Sequence, residues 1–285
     1  MKNFGLFIHP SYVKKENLFQ VISDLQTEHN LKFYGFSSQK QHLPSILAGI
    51  IDEQDITQKL DCILVLGGDG TILRAKDFAL ITKAPVLGIN LGYLGFLSES
   101  TLSDLRKSIK DLLKNKYKLQ QRMLLSVQLK HKNTIVYQGL ALNDAVVYKA
   151  DSPRLIHIRM YNSGRFMIDT RCDGVIASTP TGSTAYSLSA GGPILSPVMK
   201  AIVISPLNPH ILSIRPMVFP DSDKLMFKVY DLDNPARLQI DGINVHEILD
   251  GDEMTVTASK KQVQFIKLTN RTFYKILRNK LHLGK

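Results

Sequence analysis

Cysteine is scarce in this 285-residue chain, and long hydrophobic runs are missing. Cys62 and Cys172 lie in separate apolar stretches and fit neither a disulfide framework nor a zinc-ligand spacing, so a reducing cytoplasm is the expected setting. The longest apolar runs fall far short of the ~20 residues that a membrane-spanning helix needs. Lys2 followed by Phe4–Ile8 is too short for the core of a signal peptide. Internal repeats and low-complexity linkers are also absent. Acidic residues are the minority, 25 against 36 Lys and Arg, giving a formal charge of +11. Such a surface attracts nucleic acid, anionic lipid or small polyanions. The basic residues are scattered, with only short pairs such as Lys14-Lys15 and Lys260-Lys261, and neither a basic helix face nor an RNA-binding aromatic motif is found. The expectation is no nucleic-acid partner and no membrane.

What is present suits a sizeable core: 44% of residues are apolar. Over the first ~115 residues strand and helix signals alternate, which argues for an open parallel α/β sheet. Phe4–Ile8, Leu31–Phe36, Cys62–Leu66 and Val86–Ile89 read as strands, and Leu18, Val21, Ile22 and Leu25 recur at helical spacing. A helix is expected over Leu102–Leu113. Beyond Tyr117 the period becomes strand-like, with Met123–Leu129, Ile135–Tyr137, Ala141–Val147, Leu155–Tyr161 and Arg165–Asp169 as strands and a further series from Ala201 to Lys267. Phe273, Ile276, Leu277 and Leu281 mark a last helix. The expected domains are 1–117, 118–268 and a C-terminal helix, 269–285, returning to the first.

Gly67-Gly68-Asp69-Gly70-Thr71 follows a buried-type strand and leads into a helix. Glycines at such a turn let backbone approach a bulky anion, and helix-start amides favour negative charge, so the turn reads as a phosphate cradle. A carboxylate repels phosphate unless it binds a metal, holds a hydroxyl or accepts a proton. The bland alternative is a tight turn with an Asx-type hydrogen bond. A second glycine-rich turn, Gly88 to Phe96, leaves another strand end, so both loops could frame one crevice. Further on, Asp173-Gly174 opens a segment that becomes hydroxyl-rich, Ser178 to Ser189, and ends at Gly191-Gly192-Pro193. It is either a well-capped helix or a binder of sugar and phosphate oxygens. Asn143-Asp144 interrupts an apolar run and needs polar partners, either a nucleotide or a protein network. Arg171 and Asp173 flank Cys172 and share a face in an extended segment, where they could bridge to each other or divide a ligand.

Together these motifs resemble the NAD kinase family, which phosphorylates the 2′-hydroxyl of the adenosine ribose of NAD to give NADP. The resemblance covers most of the chain, and its most specific part is Thr179-Pro180-Thr181-Gly182-Ser183-Thr184-Ala185-Tyr186. It implies a Rossmann-like α/β domain followed by a β-sandwich-like domain. Asp69 is implied as general base, with Gly67, Gly68, Gly70, Thr71 and Arg74 beside the bound nucleotide. Asn143 and Asp144 are implied to hold adenosine or ribose, and Thr184, Ala185, Tyr186, Ser187 and Ser189 the adenine end. Arg154, Arg171 and Asp173 are implied to reach NAD, partly across a subunit interface of a homodimer or homotetramer. Mg²⁺ or Mn²⁺ is expected to arrive with ATP, and no metal-ligating residue is assigned. Family members often carry Gln where Asp241-Gly242-Ile243 stands, and Ile243 cannot make that contact through its side chain, while Asp241 is expected to remain near the site. His210 and Arg215 are read as buried organisers of a Pro-rich connection. The competing functions are a lipid kinase sharing the glycine-Asp turn and a nonenzymatic dinucleotide sensor.

Overall fold

The computed structural model describes residues 1–10, 16–43, 47–90, 95–150, 152–268 and 272–282. Strands and helices run in the order β1 Asn3–Ile8, α1 Glu16–His29, β2 Lys32–Phe36, β3 Gly49–Ile51, β4 Cys62–Leu66, α2 Asp69–Thr82, β5 Val86–Asn90, β6 Ser100–Thr101 and α3 Leu105–Leu113. There follow β7 Lys118–His131, β8 Thr134–Ala141, β9 Asp144–Tyr148, β10 Ile156–Asn162, β11 Arg165–Cys172 and β12 Gly174–Ser178. The chain closes with α4 Tyr186–Ser189, β13 Ala201–Leu207, β14 Met217–Pro220, β15 Leu225–Tyr230, β16 Ala236–Ile240, β17 Ile243–Ile248, β18 Glu253–Lys267 and α5 Phe273–Leu281. Two compact units emerge, residues 1–121 with 263–285, and residues 122–262. Among the described residues no helix is long and apolar enough to cross a membrane.

In the first unit β5, β4, β1, β2 and β3 form a parallel sheet, and Phe265 near the end of β18 pairs with Val86 beside it. Every residue of β4 and β5 is buried, as expected of parallel strands covered on both faces. Cys62, Leu64 and Leu66 pack against Leu18, Ile22 and Leu25 of α1 and Leu105, Ile109 and Leu112 of α3. Their apolar spacing of three and four residues gives each helix one buried stripe. Gly88 faces the other side, where a Cβ would stand 2.4 Å from the Ile72 side chain of α2. The expected helix over 102–113 begins later, because the Thr101 hydroxyl donates to Asp104 and the Leu105 amide to the Leu102 carbonyl, forming a turn first. Thr272 caps α5 by accepting the Lys275 amide, 3.3 Å. Just before it, the buried Glu99 carboxylate receives the Lys267 ammonium and the Leu268 amide, so the final segment is tied to the chain that follows the second glycine turn.

The second unit is a two-sheet sandwich. One sheet contains β11, β10, β15 and β18 with antiparallel neighbours throughout, and the other has the order β14-β13-β12-β9-β16-β17. Ile158, Met160, Phe227, Val229 and Val256 of the first meet Val147, Val175, Ala177, Ile204 and Leu238 of the second in one core. Strands β10, β15 and β16 alternate buried and partly exposed residues, the signature of a sheet with one wet face. β9, β12 and β13 are buried almost throughout, and the hydroxyl-rich segment packs on β12 and β13 through α4. The expected single strand from Ala141 to Val147 is in fact broken at residues 142–143 between β8 and β9. Those two amides turn instead to a side-chain carboxylate.

Candidate active site

The first glycine turn opens at the end of β4. Gly67 is required by close packing, since a Cβ there would stand 2.3 Å from the Thr71 hydroxyl oxygen; Gly68 and Gly70 face open space. Asp69 is the first residue of α2, where a negative charge is favoured by the helix dipole. Its carboxylate accepts the Phe96 amide at 2.8 Å and the Leu97 amide at 3.2 Å. Gly95 lies so close that a Cβ would stand 2.0 Å from Asp69 Oδ1. The two glycine-rich turns thus meet at one half-buried carboxylate, whose acceptor capacity two hydrogen bonds do not exhaust. Residues 91–94 of the second turn lie outside the described residues. Thr71 is buried, and Arg74 is exposed one turn further along α2.

In the second unit the break between β8 and β9 is held from two sides. Asp241 accepts the Leu142 amide at 3.0 Å and the Asn143 amide at 2.7 Å. On the other side Thr179 donates its amide to the Asn143 carbonyl, 2.8 Å, and its hydroxyl to the Leu142 carbonyl, 2.6 Å. Gly182 packs so tightly here that a Cβ would stand 2.2 Å from the Asn143 oxygen. The Asn143 side chain is half-buried, while Asp144 is only 4% exposed. Burial, and then the charge of Asp241, push the Asp144 carboxyl up to about 7.

The hydroxyl-rich segment is a 3-10 turn, Gly182–Thr184, followed by the short α4, rather than one long capped helix. Thr184 and Ala185 are partly exposed, Tyr186 and Ser189 exposed. Ser187 differs from the expectation of a ligand contact, because its side chain is fully buried and hydrogen-bonded to Ser205 at 2.9 Å. It holds α4 on β13. Tyr186 and Ser189 border a cavity of about 740 Å³ shared with Gly191, Asn208, Leu212 and Arg215.

A second cavity, about 600 Å³, is lined by Arg154, Arg171, His210, Asp231 and Asp233. Arg154 pairs with Asp233 and Arg171 with Asp231, each at 2.9 Å. Arg171 and Asp173 therefore do not bridge to each other. Asp173 pairs with Lys149 at 2.8 Å and accepts from Asn208 at 2.7 Å. Burial works to raise this carboxyl, but these two partners outweigh it and hold it below the ordinary carboxylate range. His210 and Arg215, expected to be buried, are exposed: the 208–216 connection runs over the surface, with Arg215 donating to the Ile214 carbonyl at 3.0 Å.

Family models match both parts of the chain, the ATP-NAD kinase N-terminal domain over residues 12–117 and the ATP-NAD kinase C-terminal domain over residues 142–268. This chain belongs to the NAD kinase family. The NAD kinase of Carboxydothermus hydrogenoformans is 38% identical over 251 residues, 87% of this chain and 90% of that one. That of Magnetococcus marinus is 38% identical over 236 residues, covering 83% and 78%. Among solved structures, yeast NADH kinase complexed with NADH superposes with a TM-score of 0.87 at 28% identity, covering 100% of this chain and 89% of that one. An NAD kinase from Archaeoglobus fulgidus in complex with ATP shares the fold, with a TM-score of 0.73 at 22% identity and 99% coverage of each.

Two arrangements, one in each unit, were not foreseen from the sequence: the Phe96 and Leu97 amides on Asp69, and the hold of Asp241 on the backbone of residues 142–144. The Phe96 and Leu97 amides that orient Asp69 carry no side-chain signal. Asp241 does carry one, since Asp-Gly between two strand-like runs is a hairpin turn signal, and both residues take positive φ, +49° and +82°.

Proposed function

We propose that Asp69 is the general base of the phosphoryl transfer from ATP to the 2′-hydroxyl of the adenosine ribose of NAD. The chain is an NAD kinase, and the product is NADP. Asp69 takes the hydroxyl proton as the oxygen bonds to the γ-phosphorus, and ADP leaves with the electrons of the broken P–O bond. The observation that carries this role is the pair of backbone hydrogen bonds from Phe96 and Leu97, which aim the carboxylate while leaving it acceptor capacity. The Gly67–Thr71 turn cradles phosphate, with Gly68 and Gly70 open and Arg74 adding positive charge.

Asn143 and Asp144 hold the adenosine or its ribose, Thr184, Ala185, Tyr186 and Ser189 form the adenine end, and Tyr186, 45% exposed, stacks there. Arg154, Arg171 and Asp173 meet the rest of the dinucleotide, supplied in part by a second subunit of a homodimer or homotetramer in the cytoplasm. Mg²⁺ or Mn²⁺ arrives with ATP, where it neutralises phosphate charge.

The test is NADP formation from NAD, ATP and Mg²⁺ by wild type and Asp69→Asn. General-base loss lowers kcat by ~10²–10⁴-fold. Full activity in the variant would overturn the assignment. Replacing ATP with inorganic polyphosphate identifies the donor.

A further inference from the structure

The hairpin turn between β16 and β17 does more than connect two strands. Register shifts between Leu238 and Gln239, a bulge that twists the ribbon, and Asp241 and Gly242 then both adopt left-handed backbone. Asp tolerates that conformation, and the turn swings its carboxylate beneath the break between β8 and β9. Oδ1 accepts the Asn143 amide at 2.7 Å and the Asp144 amide at 3.3 Å, and both oxygens lie 3.0 Å from the Leu142 amide. The Asp241 amide in return donates to the Asp144 carbonyl at 3.0 Å. One side chain and its own backbone thus fix three consecutive residues.

We propose that Asp241 is a positioning residue for NAD, setting through these backbone contacts the direction in which the Asn143 and Asp144 side chains project. The proposal rests on the assignment of those two side chains to the dinucleotide. Three features favour it over a plain turn anchor. The three amides belong to one break in an otherwise buried strand run, at the point where it presents polar side chains. That break is also gripped from the opposite side by Thr179 and Gly182, so Asp241 is half of a clamp. The third is electrostatic: Asp241 places a second carboxylate against the buried Asp144, and an uncharged acceptor would avoid that repulsion.

A residue that acts only on groups holding NAD weakens ground-state and transition-state binding alike, so KM rises while kcat holds. Steady-state kinetics of Asp241→Ala and Asp241→Asn, with NAD and ATP varied separately, test this alongside Asn143→Ala and thermal melts. Asp241→Ala should raise KM for NAD by about 10-fold or more and leave kcat and KM for ATP within ~3-fold. Asp241→Asn keeps one acceptor oxygen and should restore a substantial part of the NAD affinity. It also decides the matter if the alanine variant does not fold. Equal losses in both KM values and kcat, or unchanged KM for NAD in a folded Asp241→Asn and Asp241→Ala, would overturn the proposal. If Asn143→Ala itself leaves KM for NAD unchanged, the assignment of Asn143 to the dinucleotide fails first, and the positioning role with it.

Discussion

Replacing Asp144 with Asn should stabilise the ligand-free protein at neutral pH and do so less as pH falls. The carboxyl is 4% exposed, and burial followed by the Asp241 charge lifts it from an ordinary 3.8 to about 7; no hydrogen-bond donor among the described residues offsets these two. The folded state therefore holds this proton more tightly than the unfolded chain does. A raised carboxyl contributes its full stability below 3.8, loses it as pH rises toward about 7, and has lost it all above that. At ~1.36 kcal/mol per pH unit the interval corresponds to a ceiling of ~4 kcal/mol. Between pH 5 and pH 8 the advantage of Asp144→Asn over wild type should grow by ~2–3 kcal/mol. Urea unfolding of both proteins across that range measures it. An advantage that stays constant with pH would refute the reasoning, because it would mean that no proton is taken up at Asp144 over that range. The same variant should show a KM for NAD that no longer varies with pH around neutrality.

Gly95→Ala would place a methyl group 2.0 Å from Asp69 Oδ1, displacing the carboxylate without altering it. Its kcat should fall by ~10²-fold, the effect of about 1 Å of misplacement, while circular dichroism stays native; an unchanged kcat would show that the geometry of this carboxylate is unimportant. Gly182→Ala pushes a Cβ to within 2.2 Å of a backbone oxygen, which cannot rotate away as a side chain would. It should lose ~1–3 kcal/mol of stability and raise KM for NAD, whereas a wild-type melt would contradict the packing described.

Elements whose apolar period reflects a single packed face were legible in the sequence. Leu105, Ile109 and Leu112 announce α3, Phe273 to Leu281 announce α5, and the unbroken run Cys62–Leu66 announces a strand covered on both sides. The short strands β3, β6, β14 and β17 were not, since two to six residues carry too little period to distinguish them from turns. Among the candidate site residues, type singled out Asp69, Asn143 and the hydroxyl-rich segment. Type could not tell which hydroxyls face outward: Ser187 turns inward to Ser205 while Ser189, two positions on, is exposed. Nor could it tell which acid pairs with which base. Arg171 and Asp173 are neighbours in sequence, yet each finds its partner on another segment, at Asp231 and at Lys149.

The bond from Glu99 to Lys267 and Leu268 has a consequence for the order of events during synthesis. Glu99 lies two residues beyond Leu97, whose amide orients Asp69, and its partners are made long after it. Residues 122–262 intervene, so the sandwich can leave the ribosome complete while the first unit still lacks the end of β18 and all of α5. At ~5–20 residues per second the Asp69 turn waits roughly 10–30 seconds for that last support. The first unit is finished only after the second, and catalytic competence should follow synthesis of the end of β18 and of α5 rather than that of the sandwich alone.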